Sequence, residues 1–498
     1  MSALEALKEK QLTLHHLQHA TQYLSWDESV MMPVGGGNAR ANSLAKLQQI
    51  AHNLATSSEI GDLIESAKEE ASSPWDQANL RVIEQNWQRA AVIPDDLVVR
   101  MSLATSKCTQ VWREKRKEND WVAVVPLLEE VVNLTKERAT IISELFNVNL
   151  YEALLGGYET GITTDFVDTV FDDLASFLPD FVNEVIERQP AHLPLKGEYS
   201  DEDQKQLAEE LMLSLGFNFE RGRLDTSHHP FSCGERWDTR ITTRFGADDF
   251  LESMYATLHE TGHALYQQGL PAEHADQPVG KSLGMMVHES QSLFMEQQVC
   301  RSDGYIKFAL PIVKKCLAKE DNEELWSFTN FVRNVRHVDK GKIRVQADEC
   351  TYPLHVILRY RIEQAFLRGD LKVVDIPDAW NELMHEFFGL NLEGDFTDGC
   401  MQDIHWFMGA IGYFPCYTLG AITAAQLYQK YQNTFPAVEA DFENGQFDQV
   451  LDWLRKNVHS QGQLTPAFER IQEVTDKPLS TAAFKRHVTG RYLDSLLS

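Results

Sequence analysis

The stretch Thr257-Leu258-His259-Glu260-Thr261-Gly262-His263 constrains this chain more than any other, because its two histidines act together only if the segment is helical. Residues four apart on a helix stand one above the other on one face, so His259 and His263 can offer two imidazole nitrogens to a single metal ion. A carboxylate at Glu260 can then take a proton from a metal-activated water without serving as a ligand. Metal-assisted hydrolysis of a peptide bond needs that division of labour.

The helix is marked at both ends. Asp248 and Asp249 follow Gly246 as N-cap candidates, and their charge suits the positive end of a helix dipole. Leu251, Met254, Leu258 and Leu265 recur at steps of three, four and seven, an apolar back face distinct from the histidine stripe. Gly269-Leu270-Pro271 supplies the stop.

With 498 residues and 43% hydrophobic side chains, the chain can bury a large core. Its 46 basic and 74 acidic residues give a formal charge of -28, which argues against a nucleic-acid or anionic-membrane partner. No apolar run approaches the ~18 residues that a bilayer span requires, and the charged start Met1-Ser2-Ala3-Leu4-Glu5 does not read as a leader. The seven cysteines are odd in number, scattered and without a Cys-x-x-Cys pair, which fits a reduced, cytoplasmic setting and a role as small buried hydrophobes.

Helical periodicity dominates from Leu4 to about Leu24, from Arg40 to about Ala55 and onward to Asn147, with an irregular loop at Met31 to Gly37. Tyr151 to Arg188 reads as a loop and a long helical pair. Gln189 to Gly197 is the clearest break, yet a helix resumes at Asp201 without a flexible linker, so residues 1–498 are expected to form one large, mainly α unit with two lobes. Arg223-Leu224-Asp225 and Arg236 to Phe245 predict a small antiparallel sheet just before the metal helix. Its strand could pair with an extended peptide or simply pack on helices.

A third histidine six residues after His263, with glycine at three, would complete an all-histidine site, but Gly269 and Tyr266 stand there. The remaining solution is a carboxylate from another helix. Val287 to Glu296 offers His288, Glu289 and Glu296, and spacing alone does not choose among them.

Further blocks carry a resemblance. His229-Pro230-Phe231, Asp238-Thr239-Arg240-Ile241-Thr242, His288-Glu289-Ser290-Gln291, Ile343-Arg344-Val345-Gln346-Ala347-Asp348 and Gly399-Cys400-Met401-Gln402-Asp403-Ile404-His405-Trp406 occur in that order around His259-Glu260-x-x-His263. Trp26-Asp27 and Met32-Pro33 precede them. In all of these the chain resembles the thermostable carboxypeptidase Taq family of zinc metallocarboxypeptidases over nearly its whole length. The resemblance implies Glu289 as third zinc ligand, with Glu296 an ordinary helix carboxylate. It also implies a large helical, groove-bearing fold like that of neurolysin and angiotensin-converting enzyme, a homodimer, and peptide substrates with a free C-terminus.

Within that reading Glu260 is the general base, one zinc per chain is the cofactor with cobalt a possible substitute, and Arg344, then Arg240, are the candidates for the substrate carboxylate. An internal ion pair, for instance with Asp348 or Asp238, is the plain alternative for either arginine. Tyr413, Tyr417, His405 and His229 are candidate donors to the substrate or its oxyanion, each weighed against a structural role. A zinc oligoendopeptidase or dipeptidase on the same fold is the competing activity, and a peptide-binding protein without turnover the competing class.

Overall fold

The computed structural model describes residues 1–319 and 322–494. The chain opens with α1 (Ala3–Val30), α2 (Gly37–Ala55), α3 (Ser58–Ala67) and α4 (Pro74–Ala91). Next come α5 (Asp95–Lys115), α6 (Trp121–Phe146), α7 (Leu150–Leu155), α8 (Thr164–Arg188) and α9 (Asp201–Ser214). Three strands, β1 (Gly222–Thr226), β2 (Phe231–Glu235) and β3 (Asp238–Thr243), lead into α10 (Phe250–Gly269) and α11 (Met285–Leu293). The remainder is α12 (Asp303–Leu317), α13 (Phe328–Val335), α14 (Tyr352–Arg368), α15 (Ile376–Phe388), α16 (Pro415–Thr434), α17 (Val438–Glu443), α18 (Asp448–Asn457), α19 (Ala467–Thr475) and α20 (Ala482–Tyr492). The mainly α expectation holds, and no helix among the described residues is long and apolar enough to cross a membrane.

Two apolar cores underlie this arrangement. Leu7 and Leu14 of α1, Ile60 and Ile64 of α3, and Leu80 and Ile83 of α4 make a small cluster of their own. The main core runs from Leu97 to Tyr492. Helix α1 outlasts its expected end at about Leu24 and reaches Val30, because Trp26 in its last turns is buried against the sheet, with Arg223 and Arg240 over its ring at 5.2 and 4.3 Å. Tyr151 to Arg188 resolves into the single turn-and-a-half of α7 and the long α8, with a loop between rather than before them.

The sheet departs from the antiparallel expectation. Strand order is β1-β3-β2, with β2 antiparallel to β3 and β1 parallel to it. Only Arg236 and Trp237 separate β2 from β3, a hairpin-length turn that fixes their antiparallel pairing. β2 thereby serves as the crossover between β1 and β3. β3 is the central strand, and the Thr243 hydroxyl meets that of Thr257 on α10 at 3.0 Å, so the sheet is bolted to the metal helix.

Helices α10, α11 and α16 meet at glycines. A Cβ on Gly262 would lie 2.5 Å from the Gln291 carbonyl oxygen and 2.6 Å from Ser292 Cα, and one on Gly420 would lie 2.8 Å from Cβ and Cγ of Glu289. Backbone cannot yield there as a flexible side chain would. Gly262→Ala should therefore destabilise the protein by about 1–3 kcal/mol and weaken metal binding along with it. Thermal unfolding of metal-loaded and chelator-treated protein would show both, and an unchanged midpoint in the two states would contradict this packing.

Candidate metal centre

Asp249 caps α10, its carboxylate accepting from the amides of Leu251 and Glu252 at 3.0 and 3.4 Å. Asp248 is not the cap. From this helix His259 and His263 project side by side, their ring centroids 5.0 Å apart. Glu289 reaches across from α11, placing Oε2 at 3.9 Å from His259 Nε2 and 3.5 Å from His263 Nε2. One ligand atom from each of His259, His263 and Glu289 lies within 4.8 Å of the others, a set that could hold a metal ion.

The tautomers of both histidines follow from their far nitrogens. His263 Nδ1 sits 3.0 Å from the carbonyl oxygen of His288, which can only accept, so Nδ1 carries the proton. His259 Nδ1 sits 3.0 Å from Glu296 Oε2, with the same consequence. In each neutral ring the Nε2 lone pair then faces the space shared with Glu289. Two imidazole nitrogens and one carboxylate oxygen, held from behind by hydrogen-bond acceptors, are a donor set that could hold a metal ion with a coordination position left open.

With no cation bound, the surrounding carboxylates would instead keep a second proton on His259, the proton a metal ion displaces. Burial by itself would lower the basicity of His259, but the carboxylates of Glu289, Glu296 and Glu260 outweigh it and push the imidazole up to about 10. Burial raises Glu289, yet His259 and His263 hold its carboxyl below the usual range. The pocket favours positive charge. Glu260, next to His259 on α10 and adding to the negative charge around that ring, is buried with 8% of its surface exposed.

Glu296 is not the ordinary helix carboxylate that the family resemblance implied. Besides its bond to His259, its Oε1 accepts from Arg301 Nη2 at 3.0 Å, and Arg301 is stacked over Tyr255 of α10 at 4.3 Å. A π-helical segment, Phe294–Val299, follows α11 and carries Glu296. The sequence held a signal here, since Glu296 follows Glu289 by seven residues, two helical turns on one face. Arg301 carried none.

A second group of predicted residues gathers beside the first. Arg344 is only 5% exposed; its Nε and Nη2 donate to Asp403 Oδ1 at 3.1 and 2.8 Å and its Nη1 to the Tyr352 hydroxyl at 2.7 Å. Its ion-pair partner is thus Asp403 rather than Asp348, which instead caps the turn before α14 through Cys350 and Thr351 amides. Arg359 Nε also donates to Asp403, at 2.6 Å. Burial would raise Asp403, but the two guanidiniums hold its carboxyl far below the usual range.

Tyr417 stands under Arg344, 4.8 Å from guanidinium carbon to ring centroid, and its hydroxyl lies 3.1 Å from His405 Nε2. Burial first, then the Arg344 charge, lowers His405 to about 3, so this imidazole is neutral near pH 7. Tyr413 packs edge-on against Tyr417 at 5.1 Å, and among the described residues its hydroxyl has no hydrogen-bond partner. Burial, with Tyr417 and Glu289 adding, pushes the Tyr413 phenol well up, so it stays protonated.

Two predicted residues belong to the sheet and its turn. Arg240 on β3 is paired with Asp238 at 3.0 and 2.8 Å and covered by Tyr23 and Trp26 of α1. This is the internal pair named as its alternative, and it explains why Trp26 accompanies the later blocks. His229 lies exposed in the turn between β1 and β2, its imidazole bonded to none of the described residues.

A helical body with such a histidine pair, an acidic neighbour and a carboxylate from the next helix defines a metallopeptidase. The sequence matches the family described as carboxypeptidase Taq (M32) metallopeptidase over residues 6–492, and the chain belongs to that family. It is 35% identical over 505 residues to thermostable carboxypeptidase 1 of Thermus thermophilus, covering 99% of this chain and 98% of that one. Its fold is similar to that of Trypanosoma cruzi metallocarboxypeptidase 1, with a TM-score of 0.96 at 33% identity over 99% of each chain. The M32 carboxypeptidase of Deinococcus radiodurans R1 is similar as well, with a TM-score of 0.94 at 31% identity over 100% of each chain. The protein is a metallocarboxypeptidase acting on peptides.

Proposed function

We propose that His259, His263 and Glu289 hold one zinc ion per chain and that residues 1–498 act as one catalytic unit releasing C-terminal residues. The observation that carries this is the pair of Nε2 atoms turned toward Glu289 Oε2, with each Nδ1 set against a hydrogen-bond acceptor on the far side. Zinc bound there, or cobalt in its place, would supply Lewis acidity toward water and the scissile carbonyl.

The chain's own groups supply the rest. Glu260 takes the proton of the attacking water and delivers it to the departing amine. Tyr413, protonated and with an uncommitted hydroxyl, donates to the oxygen that becomes negative, while Tyr417 orients His405 and supports Arg344 from below. Tyr413→Phe should lower kcat by roughly 10²–10³ with KM little changed. Tyr417→Phe should cost less, since its hydroxyl is already engaged. Steady-state kinetics on one peptide compares the two, and the reverse order of effects would transfer the donor role to Tyr417.

Arg344 reads the substrate carboxylate in this account. Its three bonds to Asp403 and Tyr352 leave further N–H groups on Nη1 and Nη2, and the anchoring fixes the fork before substrate arrives. Arg344→Ala should lower kcat/KM for free-ended peptides about tenfold or more and leave slow cleavage of amidated peptides unchanged; lysine should rescue only part. A free-end preference that survives the alanine variant would move the role to Arg240, where a bidentate pair with Asp238 now occupies the guanidinium.

The family resemblance supports a homodimer, which sedimentation at graded concentrations tests. The seven cysteines, unpaired throughout, support a reducing, cytoplasmic setting.

A further inference from the structure

Glu159, in the turn after α7, is buried to 2% exposure and has no part in the chemistry above. Its Oε2 accepts from the Met286 amide at 3.1 Å, and the carbonyl of its neighbour Tyr158 accepts from the Met285 amide at 2.9 Å. These are the first amides of α11, the helix that carries Glu289. That helix has no cap of its own, because Gly284 stands at the N-cap and offers no side chain. A Cβ on Gly284 would lie 2.4–2.5 Å from the Glu159 carboxyl atoms, so glycine and glutamate are matched in shape. An accepting oxygen there meets the otherwise unpaired amides at the positive end of the helix.

The same turn reaches the other side of the site. The Tyr158 ring meets Tyr413 edge-on at 5.0 Å, and a Cβ on Gly412 would lie 3.0 Å from Leu154 Cβ and 3.1 Å from the Leu155 amide nitrogen of α7. One short segment, Leu154 to Glu159, therefore touches both the start of the Glu289 helix and the residue from which the Tyr413 hydroxyl projects. Burial pushes Glu159 up to about 8 against the pull of the Met286, Val287 and Thr160 amides, so near pH 7 it caps the helix mainly as the neutral acid, through an oxygen that still accepts from the Met286 amide.

We propose that Glu159 is a positioning residue for the metal centre: by capping α11 from another segment it fixes where Glu289 stands relative to His259 and His263, and with Tyr158 it ties that position to Tyr413. This rests on the reading of Glu289 as a ligand. The test therefore has one arm that needs no metal. In chelator-treated protein, amide exchange of the 284–293 segment should be about fivefold or more faster in Glu159→Ala than in wild type, and near wild type in Glu159→Gln, whose oxygen still accepts. In the second arm, zinc affinity by competition with a chelator should fall about tenfold or more in Glu159→Ala, the visible spectrum of the cobalt-loaded protein should shift, and Glu159→Gln should restore both.

Glu159→Asp, which keeps the carboxyl group but falls short of the amides, should resemble alanine and serves if the alanine variant does not fold. Unchanged exchange in a folded alanine or aspartate variant would overturn the proposal. So would faster exchange with wild-type zinc affinity and cobalt spectrum, given that Glu289→Ala loses zinc in the same assay. Retention of zinc by Glu289→Ala would instead indict the ligand assignment, and the exchange arm alone would then decide whether Glu159 caps the helix.

Discussion

Glu260→Gln should leave a folded, metal-loaded protein whose kcat is about 10²–10⁴-fold lower than wild type. The amide has the shape of the acid but cannot accept the proton of the attacking water, and no other carboxylate is free to do so. Glu289 is directed between the two Nε2 atoms, and Glu296 is held between His259 Nδ1 and Arg301. Because the Glu260 side chain makes no hydrogen bond among the described residues, its replacement should leave the helix and both histidines undisturbed. Zinc content, KM and unfolding midpoint should stay close to wild type, which separates loss of a base from loss of a site. Turnover within a few-fold of wild type would remove Glu260 from the mechanism.

Glu289→Ala should release most of the zinc and with it the activity. Replacement of a residue that only supports a ligand already costs about 10–100-fold in metal affinity, so loss of the ligand should exceed that range. Glu289 is buried against Gly420, and the alanine removes the carboxylate that both Nε2 atoms face. Glu296→Ala makes the informative comparison. It leaves all three ligand atoms in place but frees the His259 ring and leaves Arg301 without its carboxylate, so affinity should fall less than in Glu289→Ala and activity should recover with added zinc. Equilibrium dialysis against zinc buffers, followed by assay at saturating metal, would place the two variants in order; a deeper loss for Glu296→Ala would make Glu296 the third ligand.

The parts of the site that could be read in the sequence were those set by local spacing. His259 and His263 share a face because of helical periodicity, Asp249 caps the start of the helix by a short-range rule, and Leu270-Pro271 follows its end, while Gly269 is its last helical residue and leaves room for His459. The choice of Glu289 came from family resemblance, since His288, Glu289 and Glu296 all lie within one short stretch and only the fold reveals which one faces the histidines. Long-range pairings stayed hidden. The parallel entry of β1 depends on an edge of β3 that no local pattern announces. Arg344 meets Asp403 across 59 residues of chain, and Glu159 meets Met286 across 127, neither with any spacing rule. The extension of α1 to Val30 likewise comes from Trp26 finding Arg223 and Arg240 in the sheet rather than from helix propensity.

The most direct test of a metal-dependent exopeptidase built on this centre is a digestion time course, followed by mass spectrometry, of two peptides that differ only in a free or an amidated C-terminus. Zinc-loaded wild type should shorten the free peptide one residue at a time from its C-terminal end, spare the amidated one, and stop when zinc is removed by a chelator. Cleavage at an internal bond, equal consumption of both peptides, or full activity in the metal-free protein would contradict the account.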